Sequence, residues 1–344
     1  MAIRTSGFRR WVVAGGTLLI AMTLAAFALA WWWVDRPLPL MKSSVELSLE
    51  AGTTPREVAQ RWVDAGVDTS PWLLYQWFRL SGQARKIRAG TYAVDMHTSA
   101  RALLDKMVQG DESLEAVRII EGWTFRQVRA ELARSPSLRP ATAGWSEAQI
   151  MTALGLAGTP AEGQFFPDTY RFSRGVSDLA VLKRAAQSMQ RKLALAWEER
   201  AQSTPLRSPS EALILASIVE KETGQAADRP LIAGVFSNRL RMGMPLQTDP
   251  TVIYGLGTGF DGNLRKRDLL ADTPFNTYTR RGLPPHAIAM PGAQSLLAAV
   301  RPESTSALYF VAKGDGSSHF SVDLNEHNRA VFRYQKMPAS RTQP

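Results

Sequence analysis

Two glutamates, Glu220 and Glu222, close an otherwise apolar run at residues 208–224, SPSEALILASIVEKETG. Between Ala212 and Val219 only Ser217 is polar, and a helix without a polar face is enclosed by other elements. A carboxyl group at the end of such a helix leaves the core only partly hydrated, which disfavours its charged form. The negative end of the helix dipole acts in the same direction. A carboxylic acid held neutral near pH 7 is what general-acid catalysis requires. The two glutamates cannot share that task, because side chains two residues apart on an α-helix diverge by about 200°. Glu220 continues the stripe Leu213, Ala216, Ser217, whose small side chains leave room for a ligand, and it is the candidate acid. The competing reading makes Glu220 an ordinary last-turn residue, solvated or paired with Lys221 or Arg229.

Other chemistries lack their residues. The chain has no cysteine, which excludes disulfides and thiol nucleophiles. His97, His286, His319 and His327 form no H-E-x-x-H or other ligand spacing, so no metal and no cofactor is expected. There is no G-x-S-x-G elbow and no Walker loop. The glycines of residues 257–262 match a dinucleotide pattern by letter only, since no strand leads into them. The formal charge of +10 would suit nucleic acid, anionic lipid or an acidic polymer. The densest basic groups, Arg265-Lys266-Arg267 and Arg280-Arg281, are short and not interleaved with aromatics, so no nucleic-acid partner is expected.

The elements that must hold the acid are legible around it. Ser208 is an N-cap, Pro209 suits the first helical position, Glu211 completes an S-x-x-E capping box, and Gly224 is the expected stop. Residues 179–200 form an amphipathic helix on Val181, Leu182, Ala185, Met189 and Leu193. Another helix covers 229–242. Asp249-Pro250 reads as an N-cap followed by a first-turn proline. Residues 162–170 (EGQFFPDTY) and 275–285 are polar-aromatic loops, and their rings suit either sugar faces or the core. A helix follows Met290-Pro291-Gly292, a hairpin turns at residues 314–317, and a last helix starts at Leu324.

Towards the N-terminus, residues 11–34 carry no charge, which is long enough to span a bilayer. Arg4, Arg9 and Arg10 precede this run, placing the N-terminus in the cytoplasm and the rest outside it. Trp31-Trp32-Trp33 would form an interfacial belt. Ala28-Leu29-Ala30 also fits a signal-peptide cleavage site, and the length of the run favours a retained anchor. The prolines of residues 35–44 make a stiff linker. A compact unit follows: a strand at 45–49, a capped helix after Thr54-Pro55, a helix from Pro71 anchored on Trp72, Tyr75 and Phe78, a strand at 90–94 and a helix at 99–110. Strand, glycine and capping box then recur at an offset of 70 residues. Residues 117–120 are apolar and strand-like, Glu121-Gly122 matches Ala51-Gly52, Thr124-x-x-Gln127 matches Thr54-x-x-Glu57, and Val128 matches Val58. This reads either as a weak internal repeat or as two unrelated capped helices.

Six phrases resemble the endolytic murein transglycosylases of the YceG-like family: EGQFFPDTY (162–170), ASIVEKET (216–223), VFSNRLRM (235–242), LQTDPTVIYG (246–255), NTYTRRGLPP (276–285) and YFVAK (309–313). Their order and spacing agree over nearly the whole chain. His286 departs from the pattern, where a glycine is expected after the two prolines. The resemblance implies an α+β protein with a cytoplasmic tail (1–10), a transmembrane helix (11–34), a linker (35–44), a LysM-like module (45–110), a YceG-like catalytic domain (111–337) and a loose tail (338–344). It implies an inner-membrane, single-pass enzyme facing the periplasm. The enzyme would cleave MurNAc–GlcNAc β-1,4 bonds within peptidoglycan strands to give 1,6-anhydro ends, an activity suited to terminating nascent strands beside the cell-wall synthesis machinery. The family glutamate falls on Glu220, acting as acid and then as base. Gln247, Thr248, Asn276 and Tyr278 are expected to hydrogen-bond the sugar, and Phe166 and Tyr254 to stack on it. Asp249 is assigned to capping. Two other readings remain: a membrane-tethered glycan-binding or cell-division scaffold without cleavage, and a hydrolase that uses water.

Overall fold

Capping boxes and proline–glycine punctuation divide the chain where the sequence places them. The computed structural model describes residues 6–336, and the chain separates at Glu115 into two compact units. Arg4 and the tail at 338–344 lie outside the described residues.

The first unit opens with α1 (Ser6–Asp35). Its segment Gly16–Asp35 is the one helix, among the described residues, long and apolar enough to cross a membrane. Leu18, Leu19, Ile20, Phe27 and Leu29 are all exposed. At its end, Arg101 pairs with Asp35 at 2.6 Å and lies over the Trp31 ring at 4.8 Å. Then come β1 (Ser44–Leu49), α2 (Pro55–Ala65), α3 (Pro71–Leu80), β2 (Gly90–Asp95) and α4 (Ala100–Gln109). β1 and β2 are antiparallel, with Val45 opposite Val94. Both arms of the Thr54/Glu57 capping box form. Trp62, Leu74, Phe78, Tyr92, Leu103 and Met107 fill this unit's core. Trp72 departs from expectation: it is exposed, and α3 is anchored through Leu74 and Phe78. Trp72 lies two residues from Leu74, about 200° around the helix, so the stripe through Leu74 and Phe78 that faces the core leaves it on the solvent side.

The second unit repeats this order. β3 (Leu114–Arg118), α5 (Phe125–Arg134), α6 (Glu147–Ala153), β4 (Thr169–Ser173) and α7 (Asp178–Glu198) follow, with β3 paired to β4. The strand begins three residues earlier than the apolar run suggested. The corresponding turns agree: Gly52 and Gly122 both have positive φ, 88° and 76°, and the Thr124/Gln127 box is complete. The order β-α-α-β-α therefore occurs twice, and the repeat extends past the local signature that first indicated it.

The remaining elements are α8 (Pro209–Glu222), α9 (Arg229–Arg241), α10 (Asp249–Leu256), α11 (Lys266–Leu270), α12 (Ala293–Val300), the antiparallel hairpin β5 (Tyr309–Ala312) and β6 (Ser318–Ser321), and α13 (Leu324–Val331). α8 is their centre. Ala212 to Val219 are all buried, packed with Ile232, Phe236, Leu296 and Ala299 of α9 and α12. Even its one polar interior group is used: Ser217 Oγ donates to the Ile214 carbonyl at 2.7 Å and accepts from Ile288 N–H at 3.0 Å. The ends of α8 differ from the sequence reading. Ser208 caps Glu211 N–H at 3.2 Å, but the Glu211 carboxylate takes the Arg207 N–H at 2.6 Å, so the box is half formed. The helix stops at Thr223, which is extended, and not at Gly224.

Candidate active site

The last turn of α8 sends its two glutamates into different surroundings, as the 200° divergence requires. Glu220 is enclosed, with its side chain 5% exposed. Its Oε1 accepts from the Arg229 guanidinium at 3.2 Å and its Oε2 from Gly292 N–H at 2.9 Å. Arg229 stands at the start of α9 and also donates to Gln294 at 3.0 Å. Gly292 is the N-cap of α12, and a Cβ there would collide with the Glu121 carboxylate. Glu220 thus ties the ends of three helices together. Of the partners expected for it as a last-turn residue, Arg229 is the one it pairs with.

Glu222 faces a cleft of about 530 Å³ that is also lined by Gln247, Asp249, Tyr278 and Arg239. One hydrogen bond, donated by the Thr248 hydroxyl, reaches its carboxyl group. Burial pushes Glu222 up to about 7; the Thr248 hydrogen bond works against this, and the charge of Asp249 reinforces it. Opposite it, Tyr278 donates its hydroxyl to Asp249 Oδ1 at 2.6 Å. Burial, first, and then this bond to Asp249 raise the Tyr278 phenol well above its ordinary value. Asp249 does not cap α10: it is the first helical residue and makes no cap bond. Its carboxylate is instead a second acidic group in the cleft.

The floor beneath Glu222 is a threonine network. Thr277 Oγ1 accepts from Thr248 N–H at 3.1 Å and lies 2.9 Å from Thr251 Oγ1, which donates to the Thr248 carbonyl at 2.8 Å. Gln247 lies at φ 52°, the one non-glycine residue with positive φ among the described residues, a backbone state with a cost of about 1 kcal/mol or more. Its side-chain oxygen accepts from the buried Arg239 at 3.1 Å. Arg239 also donates to the carbonyls of Pro245, Leu246 and Leu308 and stacks over Tyr309 at 4.9 Å. The loop under the acid is therefore held by side chains from α9 and from its own turn.

The expected sugar contacts divide accordingly. Gln247 and Tyr278 line the Glu222 cleft, and Thr248 reaches it through Glu222. Asn276 does not take part: it is fully buried, its amide donates to the carbonyls of Asp268, Leu269 and Ala271, and its oxygen accepts from Tyr278 N–H. A carboxamide with its donors and acceptor already engaged has nothing left for a ligand. Phe166 is core, 8% exposed and packed with the α8 cluster. Tyr254 faces a different cleft, of about 960 Å³. There it hydrogen-bonds Glu162, which burial pushes up to about 7 against the bonds from Phe125 N–H and the Tyr254 hydroxyl. His286, the departure from glycine, packs edge-on to Phe275 at 4.8 Å and to Tyr254 at 5.7 Å. Glu222 and Asp249, which the sequence reading weighed but did not place at the site, and Glu162 are acids that the clefts hold. For Glu222 the missing signal was orientation, because a helix buried on every side offers no polar face to indicate which way its last carboxyl points.

The model of one family, the YceG-like family, matches residues 47–333. The chain belongs to the YceG-like family. Among its relatives, the Bacillus subtilis (strain 168) protein named endolytic murein transglycosylase is 41% identical over 175 residues, covering 51% of this chain and 48% of that one. The protein of the same name from Streptococcus pneumoniae R6 is 25% identical over 339 residues, covering 88% of this chain and 61% of its own. This YceG-like chain thus spans about half to three-fifths of the length of those relatives. A crystal structure of a yceG-like protein from Listeria monocytogenes aligns with a TM-score of 0.55 at 28% identity, over 83% of this chain and 98% of that one.

Proposed function

We propose that this protein is an endolytic peptidoglycan lytic transglycosylase whose acid is Glu222. The observation that carries the reading is a carboxyl group in a cleft, held by a single hydroxyl and neutral up to about pH 7. The names of its relatives supply the substrate class. Glu222 donates its proton to the glycosidic oxygen between MurNAc and GlcNAc as the bond to C1 breaks. The resulting carboxylate takes a proton from the muramic acid C6 hydroxyl, which attacks C1 and closes the 1,6-anhydro ring. One group serves as acid and then as base, as general acid–base catalysis permits when a single carboxyl reaches both oxygens. Asp249, held by Tyr278, offsets the positive charge that develops on the sugar ring. Glu220 has the supporting role, because its two carboxyl oxygens are already engaged by a guanidinium and a main-chain N–H.

The reading extends to the whole chain. Residues 11–34 anchor the protein in the inner membrane with the N-terminus in the cytoplasm, the unit at 45–110 is a LysM-like module that contacts glycan, and the second unit cuts strands in the periplasm. Full-length protein in detergent, incubated with purified peptidoglycan, releases 1,6-anhydro products, and Glu222→Gln abolishes this while Glu220→Gln, assayed on folded protein, retains it. Loss in Glu220→Gln with full activity in Glu222→Gln returns the acid to Glu220.

A second reading has one observation in its favour. Asp249 places a second carboxylate in the cleft, and paired carboxylates are the usual equipment of glycoside hydrolysis. Product mass separates the two, since hydrolysis yields ends heavier by one water than anhydro ends.

A further inference from the structure

The cleft on the other side of the α8 terminus has no part in the reaction above. Lys221 and Glu222 are consecutive, as are Asp249 and Pro250, yet Glu222 and Asp249 line one cleft while Lys221 and Pro250 line the other. Successive side chains on a helix diverge by about 100°, so the end of α8 and the start of α10 form a ridge between two depressions. The larger has about 960 Å³, within the range of sites that enclose a small ligand or a short peptide.

Its chemistry differs from that of a sugar groove. Sugars are held by open aromatic faces, and here two of the rings are already engaged by protein. Phe125 stacks on Phe165 at 5.0 Å, and Tyr254 meets Phe275 at 4.9 Å and His286 at 5.7 Å. What the cleft offers instead is positive charge. Arg126 and Arg129 of α5 and Lys221 of α8 line it. The hydrogen bonds of Arg129 and Lys221 run to the main-chain carbonyls of Thr142 and Gly122. Among the described residues, none of the three lies within ion-pair distance of a carboxylate. Of the two acids in the cleft, Glu147 accepts the Ala161 N–H at 2.9 Å. Glu162 is buried and bound by Phe125 N–H at 2.9 Å and by the Tyr254 hydroxyl, and it is largely neutral below about pH 7. Three cations, outnumbering the Glu147 carboxylate and the buried Glu162, over an apolar floor of Pro250, Ile253 and Ile288 complement a ligand that is both acidic and partly apolar.

We propose that this second cleft binds the carboxylate-bearing peptide branch of the same glycan strand whose sugars occupy the Glu222 cleft. The inference rests on the function proposed above. A muramic acid residue on one side of the ridge carries its peptide on a lactyl arm, and adjacent residues of α8 and of α10 line the two clefts. The free carboxylates of that peptide pair with Arg126, Arg129 and Lys221, while its alanine side chains lie on the apolar floor.

Two measurements on the full-length protein test this. The first is cleavage of glycan strands that keep their peptides against strands stripped of them by an amidase. The wild type prefers the peptide-bearing strand, and Arg126→Glu/Arg129→Glu lowers the ratio of kcat/KM values by about tenfold or more, the scale of two charge-assisted bonds lost. The second is direct binding of the free stem peptide, followed by calorimetry or NMR and independent of cleavage. The wild type binds it, the double variant and Lys221→Gln bind it more weakly, and a peptide with its carboxyls amidated binds more weakly to the wild type. Equal kcat/KM for both strands in the wild type, or peptide binding indifferent to charge reversal and amidation, overturns the proposal. If neither strand is cut, the transglycosylase reading fails, and the peptide titration still decides this one. Unchanged thermal midpoints confirm that the variants are folded.

Discussion

Two clefts flank the end of α8, and each holds a glutamic acid that burial raises to about 7. The difference between them lies in how many partners each acid has. Glu162 accepts the Phe125 N–H, the Tyr254 hydroxyl and the Gly163 N–H, so its oxygens are occupied and its carboxyl group ties α5 to the loop before β4. Glu222 accepts one hydroxyl and keeps the rest of its capacity for a ligand. A perturbed acid is thus a poor sign of catalysis on its own, and the count of bonds already made separates an acid that can act from one that is structural. Glu220 extends the series, with one oxygen on the Arg229 guanidinium and the other on Gly292 N–H.

The largest effect should come at Glu222. Glu222→Gln removes the proton and is expected to lower anhydro-product release by a factor of about 10² to 10⁴, the usual contribution of a general acid, with the fold intact. Glu162→Gln, which removes the other acid raised to about 7, is expected to leave release within about tenfold of wild type. If both variants lose activity equally, partner count does not discriminate between the clefts.

Glu220→Gln should act on stability. It leaves Arg229 buried beside a neutral amide, and breaking one side of a buried pair costs about 3 kcal/mol or more, seen as a lower thermal midpoint with turnover per folded molecule retained. Asn276→Ala should follow the same pattern at about 2 kcal/mol, since three carbonyls and one N–H lose their partner. A raised KM for glycan at unchanged stability would instead return Asn276 to the sugar.

The pH dependence gives a smaller and more specific test. Because the acid must be protonated, activity should fall as pH rises through about 7. Asp249→Asn removes a charge that raises Glu222, so the alkaline limb should move to lower pH, by less than the whole shift, because burial is the larger cause. Stability follows the same protons. A carboxyl whose folded value lies above its unfolded one stabilises the fold fully below the unfolded value and loses that contribution as pH rises towards 7. Glu222→Gln and Glu162→Gln should each flatten the decline in stability between about pH 4.5 and 7.

Much of this architecture was legible because it depends on local rules. The capping boxes at Thr54 and Thr124 and the glycines after β1 and β3 report backbone geometry directly, and the apolar run of α8 reports burial. The site was legible only as a neighbourhood. Glu220 and Glu222 carry the same side chain, and their difference depends on Arg229, Gly292 and Thr248, which come from α9, α12 and the turn before α10. Asn276 looked like a ligand group because it is polar and lies in an aromatic loop, but three carbonyls packed under α11 claim it. Asp249 looked like a cap because proline follows it, but Thr248 holds the cap position and Tyr278 claims the carboxylate.

The knot formed by Glu220, Arg229 and Gly292 has a consequence for the timing of catalysis. A helix terminus ordinarily frays, because its last carbonyls lack partners within the helix, and a proton donor carried on a fraying turn would wander. Here the residue two positions earlier is riveted to two neighbouring helices, so the main chain of Glu222, the donor in the proposed function, is held in place. The amides of the last turn of α8 should therefore exchange hydrogen as slowly as the core, and under the proposed function the sugar must come to the proton.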